Sequence, residues 1–139
     1  MKQEQIIQIQ MLEQEASQLN EQLNLVEQNI NEMTELKVSL DEIDNVKKGE
    51  EMRIDIGKKI YLPVEVKSKD LIVEVGKGNF VKKNIKDTKE VIELQVKRLR
   101  SGKEQIMSRL EELQMEMQNL IFDIEKEQRK GDKNEDNKG

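Results

Sequence analysis

Apolar residues recur along the first third of the chain at Ile9, Leu12, Ala16, Leu19, Leu23, Val26, Ile30 and Met33, spaced 3-4-3-4-3-4-3. Unbroken alternation of threes and fours lines one stripe of a helix and is the a/d seam of a coiled coil. The next a position is Lys37, and the apolar series then resumes in a shifted phase at Leu36, Leu40 and Ile43. A slip of that kind predicts local rewinding of the coil. The stretch NVKKGEE closes the helix, with Lys47 and Lys48 toward the negative end of its dipole and Gly49 free to take a left-handed terminal conformation. A second seam runs through Ile92, Val96, Leu99, Lys103, Ile106, Leu110, Leu113, Met117, Leu120 and Ile124, again alternating fours and threes. Asp87 is the predicted cap of that helix, with Glu90 three residues on. Gly102, beside the polar seam position Lys103, predicts a weak point. Helices of about 40 residues span roughly 60 Å each. Their near-equal lengths predict antiparallel pairing.

Between the helices the period changes to two. Ile54 and Ile56 alternate with Arg53 and Asp55, and Ile60, Leu62, Val64 and Val66 alternate with Tyr61, Pro63, Glu65 and Lys67. Leu71, Val73 and Val75 form a third run, and Phe80 with Val81 a fourth. IGKKI and VGKGNF supply the glycines that short hairpin turns need. Pro63 cannot donate a ladder hydrogen bond and marks an edge or a bulge. Four short strands with an apolar face and unpaired edges do not close a core alone. The economical solution is that hairpins from several chains complete one barrel, through Ile54, Ile56, Ile60, Leu62, Val64, Val66, Leu71, Val73, Val75 and Phe80. The reading is therefore α+β: a long antiparallel two-helix coiled coil with two central β-hairpins that complete an intersubunit β-barrel. Its parts are a first helix at 1–48, hairpins at 49–86, a second helix at 87–130 and a disordered polar tail at 131–139.

Composition agrees with this reading. Charged residues make up 38% and aromatics 2%, too little large apolar volume for an ordinary core in a 139-residue chain. There is no Cys and no His, which excludes disulfides, thiol catalysis, cysteine–histidine metal sites and histidine acid–base chemistry. MKQEQIIQIQ has neither the apolar core nor the cleavage site of a signal peptide, and no run reaches membrane-spanning length. A cytoplasmic protein is expected, with no membrane partner. Charge is uneven: residues 1–45 hold ten acids against two bases, and residues 46–87 eleven bases against seven acids. The basic middle is read as lysines that blunt strand edges, with no nucleic-acid partner.

IYLPVEVKSKDLIVEVGKGNFVKKNIKDTKEVI, residues 60–92, with Gly57 just before it, resembles the prefoldin family. The features that carry the resemblance are Gly57, Tyr61-Leu62, Val75-Gly76-Lys77-Gly78, Phe80 and Lys82-Lys83, and the presence of four strands resembles the alpha class. The first strand departs from the family's usual V-P-V-G, reading Ile54-Asp55-Ile56-Gly57. The resemblance implies an ATP-independent chaperone subunit in a hetero-hexamer, two alpha subunits with four beta-class subunits. It also implies capture of non-native polypeptides at coiled-coil tips and their transfer to a group II chaperonin.

At such a tip, the apolar residues that lie off the seam are the candidates for client contact. With Ile9 at a, Ile6 falls at e, Ile7 at f and Met11 at c; with Leu120 at d, Ile121 falls at e, and Phe122 and Met115 at f. Clustered exposed apolar residues mark an interaction surface, and methionine repacks easily against varied partners. Leu25, Val91 and Leu94 are also off the seam but away from the tip. No enzyme is expected: GKGN lacks the continuation of a phosphate loop, and the adjacent Glu111 and Glu112 face different directions on a helix. No catalytic residue, cofactor or metal is expected. The alternatives are a structural or adaptor coiled coil that oligomerises or forms filaments through its hairpins, and a nucleic-acid module using the basic middle.

Overall fold

The computed structural model describes residues 2–138, with side chains described as far as Gly131. The elements are α1 (Gln3–Asp44), β1 (Glu51–Gly57), β2 (Ile60–Glu65), β3 (Leu71–Gly76), β4 (Asn79–Lys83) and α2 (Ile85–Lys138). The polar tail expected at 131–139 lies, Gly131 apart, outside the residues described with side chains. Contacts divide the chain into a coil unit, Met1–Gln28 with Arg100–Gly139, and a hairpin unit, Asn29–Leu99.

In the coil unit the predicted seam is the packed one. Leu113 and Ile124 are buried, and Ile9, Leu12, Ala16, Leu19, Leu23, Val26, Ile106, Leu110, Met117 and Leu120 are half-buried. The antiparallel sense is fixed by cross-helix polar contacts that step in opposite directions along the two helices. Gln5 Nε2 donates to Glu127 at 3.1 Å, Arg109 holds Glu15, and Lys103 reaches Glu27 at 3.4 Å. The polar seam position Lys103 is thus matched by a carboxylate from the facing helix. Gly102 does not interrupt α2.

The hairpin unit has its own small core. Leu40, Ile85 and Ile92 are buried together, and Met33, Ile43, Leu71 and Val96 pack against them. The phase shift expected after Lys37 is not seen before Leu40. Leu36 is exposed, Lys37 is half-buried at the seam, and Leu40 is buried one seam step later. Lys37 stays in phase because Glu93 of α2 accepts its ammonium at 2.8 Å.

The helix ends also differ from expectation. Asn84, rather than Asp87, caps α2: its Oδ1 accepts the Asp87 amide at 2.7 Å, and its side-chain amide donates to the Asp87 carboxylate at 3.0 Å. Both residue types suit the motif, and the earlier one takes the cap because the helix starts at Ile85. Lys47 and Lys48 lie beyond the last turn of α1. The cation at that terminus is Lys69, from the link between the hairpins, whose Nζ donates to the Asp44 carbonyl at 2.7 Å. Lys89 pairs with Asp41 and Asp44, and those carboxylates hold its pKa above the usual lysine value. Gly49 (φ +90°) starts the path into the first hairpin, donating to the Val66 carbonyl at 2.8 Å.

β1 and β2 form one antiparallel hairpin, and β3 and β4 the other. The two are built alike. Gly57 pairs with Ile60 across Lys58-Lys59, and Gly76 with Asn79 across Lys77-Gly78. Both central residues of each turn have positive φ, the mark of the two-residue turn that follows strand twist. Gly57 and Gly76 share a φ of +121°, a conformation only glycine takes easily. Just before each of them one residue, Ile56 or Val75, is passed over in the ladder. Asp55, the departure from the usual strand pattern, has a local role here: its carboxylate accepts the Gly57 amide at 2.8 Å and fixes the bulge.

Candidate functional site

The predicted client-contact residues all belong to the coil unit, on the parts of α1 and α2 that Gln5 and Glu127 bring together. Met11, Met115 and Phe122 are 65%, 64% and 64% exposed. Ile6, Ile7 and Ile121 are exposed as well, though less so. Their heptad positions explain this. A residue at c or f points away from the facing helix, and one at e flanks the seam. Met115 and Phe122 lie seven residues apart, so they share one outer stripe of α2. A groove of about 770 Å³ lies between the two helices of this unit, with Met11, Leu12 and Leu120 in its wall and Glu15, Glu116 and Asp123 among its polar lining. Met107 and Leu25 are also exposed in this unit. Met107 was not singled out from the sequence, although its e position, next to Ile106 of the seam, carried the signal.

The helices are pinned near this surface by Arg109. Its guanidinium donates to both oxygens of Glu15, at 2.8 and 3.1 Å, and to Glu112 at 3.0 Å, with Glu116 at 3.5 Å. A bidentate pair of this type fixes geometry as well as charge. The guanidinium holds the Glu15 carboxyl below its usual pKa, chiefly through the hydrogen bonds, and these carboxylates push the arginine's pKa up further.

The hairpins form a second apolar surface. Ile54, Ile56, Ile60 and Leu62 of the first hairpin are exposed, as are Val75 and Phe80 of the second. Four of the predicted assembly residues are placed differently. Val66 is buried and Leu71 packs on the Leu40–Ile85–Ile92 core, while Val64 and Val73 are half-buried. The reason is alternation: Leu71 and Val73 lie on one face of β3, and that face carries Leu71 to the chain's own helices. The opposite face carries Ile72, which is 70% exposed, and across the same hairpin Glu74 pairs with Phe80. Ile72, Tyr61 and Val81 are exposed as well and are not among the predicted residues. Of these, Ile72 stands in the unbroken apolar run Leu71-Ile72-Val73, a pattern that goes with strands covered on both faces.

Among the described residues no group of three or more acidic, His or Cys side chains is placed to hold a metal, and no helix is long and apolar enough to cross a membrane. What the arrangement offers is apolar contact area in two places, with different neighbours.

Comparison with known proteins gives three results. The family model for prefoldin subunits matches residues 12–130. The prefoldin alpha subunit of Archaeoglobus fulgidus is 25% identical over 129 residues, covering 92% of this chain and 94% of that protein. A cryo-EM structure of filamentous PFD from Methanocaldococcus jannaschii superposes with a TM-score of 0.66 at 16% identity, covering 83% of this chain and 96% of that one.

Proposed function

The chain belongs to the prefoldin family of chaperones as an alpha-type subunit, and on that premise we propose that it is an ATP-independent holdase that captures unfolded polypeptides and passes them to a group II chaperonin. The hairpins join it to other prefoldin subunits, two of this chain with four of the beta class, in the cytoplasm. The free end of the coil unit takes the client. The observation that carries this reading is the cluster of Ile6, Ile7, Met11, Met115, Ile121 and Phe122, exposed although the seam beside them is filled. Contact of this kind is shallow and unspecific. Several arms acting on one client sum such contacts by avidity.

The test is suppression of aggregation. A denatured model protein diluted into the assembled complex scatters less light than when diluted alone. Replacing Ile7, Met11, Met115 and Phe122 of this chain by serine weakens protection by about fivefold, since other arms still bind. Native mass stays unchanged. Equal protection by the substituted complex would remove these residues from the client surface.

One observation favours a second reading, a filament or scaffold without clients. Both hairpins expose apolar residues, and the similar structure from M. jannaschii is described as filamentous. Native mass separates the two: a closed hetero-oligomer supports the holdase, and an open-ended series of homopolymers supports the scaffold.

A further inference from the structure

The chain has no Cys, His or Trp and one Tyr, so its seven methionines are nearly its whole stock of readily oxidised side chains. Their placement is uneven. Met33, Met52 and Met117 are half-buried, on the two seams and in β1. Met11, Met107 and Met115 are 65%, 46% and 64% exposed, and all three lie in the coil unit. Two of them, Met11 and Met115, belong to the surface assigned above to the client, and Met107 lies on α2 eight residues before Met115. None of the three fills the seam, so their chemistry can change without unpacking the helices.

We propose that Met11, Met107 and Met115 are modification sites that make client capture sensitive to peroxide. Each thioether attacks a peroxide oxygen. The O–O bond breaks, an S–O bond forms, and water or an alcohol leaves. The sulfur loses two electrons and the peroxide gains them. The product sulfoxide is polar and accepts hydrogen bonds, so a flexible apolar contact becomes a hydrated one. Client grip falls while the coil stays folded. The step is reversed by methionine sulfoxide reductases, in which a dithiol is oxidised to a disulfide, the S–O bond breaks and the oxygen leaves as water. This inference rests on the client-binding reading of the same surface.

The test uses the full-length chain in the assembly it forms, treated with hydrogen peroxide and freed of it. Peptide mass spectrometry follows conversion at each methionine, circular dichroism follows helix content, and capture of a denatured model protein is measured before and after treatment. Conversion is expected first at Met11, Met107 and Met115, with helix content unchanged and apparent client affinity down by about tenfold. Two variants assign the effect through their own treated-to-untreated ratios. Met11→Leu/Met107→Leu/Met115→Leu should show a ratio near one. Met33→Leu/Met52→Leu/Met117→Leu should lose as much affinity on treatment as the native chain. Undiminished capture by a complex fully converted at the three exposed sites overturns the inference and leaves the holdase reading standing. An untreated complex that captures nothing overturns the holdase reading and this inference with it.

Discussion

Lys59 holds a backbone φ of +63° in the first hairpin turn, where the second hairpin has Gly78 at +75°. A side chain in the left-handed region costs roughly 1–2 kcal/mol, and glycine avoids most of that. Lys59→Gly is expected to raise the stability of the chain by about 1 kcal/mol. Gly78→Ala is expected to lower it by a similar amount, and a Cβ there meets no atom within 4 Å, so the cost is conformational rather than steric. Denaturant melts of both variants check the pair, and a null effect at Lys59 would mean that the turn keeps positive φ without penalty. The Glu15–Arg109 pair makes a second residue-level prediction. The folded-state pKa of Glu15 lies below its ordinary value of 4.5. Its contribution is therefore present above pH 4.5 and fades as pH falls through the lower folded value. Both partners are open to solvent, so the effect is small and is reduced by salt. The difference in melting temperature between the native chain and Glu15→Gln should shrink to nothing on acidification; a gap that persists at low pH would assign the effect to packing instead.

At the scale of elements, the heptad pattern carried the helices almost completely. Every residue of the two seams read from the spacing is buried or half-buried, Lys37 and Lys103 included, apart from Leu36 of the shifted series, which is exposed. What the pattern missed was the treatment of those two lysines. The shift read at Leu36 comes later than the apolar residues alone suggest: Leu36 is exposed and Leu40 is still in phase, while Ile43 packs on the core where the next in-phase position, Asp44, is exposed. In the structure each lysine keeps its seam position because the facing helix supplies a carboxylate, Glu93 to Lys37 and Glu27 to Lys103. Periodicity along one helix cannot show a partner on another. The same limit explains the hairpin residues. Alternation separates the two faces of β3 but does not say that the Leu71 face meets the chain's own helices and leaves Ile72 outside. The lysine–glutamate pairs set up a testable trade between stability and register. A polar residue at a seam position specifies alignment at some cost in stability. Lys37→Leu/Lys103→Leu is expected to stabilise the chain by roughly 1–3 kcal/mol and to populate misaligned pairings. The absence of native cysteine permits a direct readout: in a Gln5→Cys/Glu127→Cys background, crosslinking by a short bismaleimide should fall when the lysines are replaced. Undiminished crosslinking would show that the apolar seam alone sets the register.

At the scale of the molecule, the two exposed apolar surfaces belong to separately packed units. Neither is needed to fill the core of its own unit, since the coil packs along its seam and the hairpin unit around Leu40, Ile85 and Ile92. A surface that the chain does not need for its own folding is available for other molecules, and the two should be separable by substitution. Ile72 and Phe80 are exposed on the second hairpin, so polar replacements there change the free chain by no more than about 0.5 kcal/mol. If that hairpin docks against another subunit, the same replacements remove buried anchors worth ~2 kcal/mol or more each. Ile72→Asp/Phe80→Asp should therefore reduce the native mass of the complex to smaller species while helix content by circular dichroism stays intact. Leu71→Asp, one residue away but facing the core, should instead lower helix content and melting temperature. Serine replacements at Met11, Met115 and Phe122 should leave the mass untouched. A complex of full mass carrying Ile72→Asp/Phe80→Asp would exclude this hairpin face as the assembly surface and direct attention to the first hairpin, where Ile54, Ile56, Ile60 and Leu62 stand exposed.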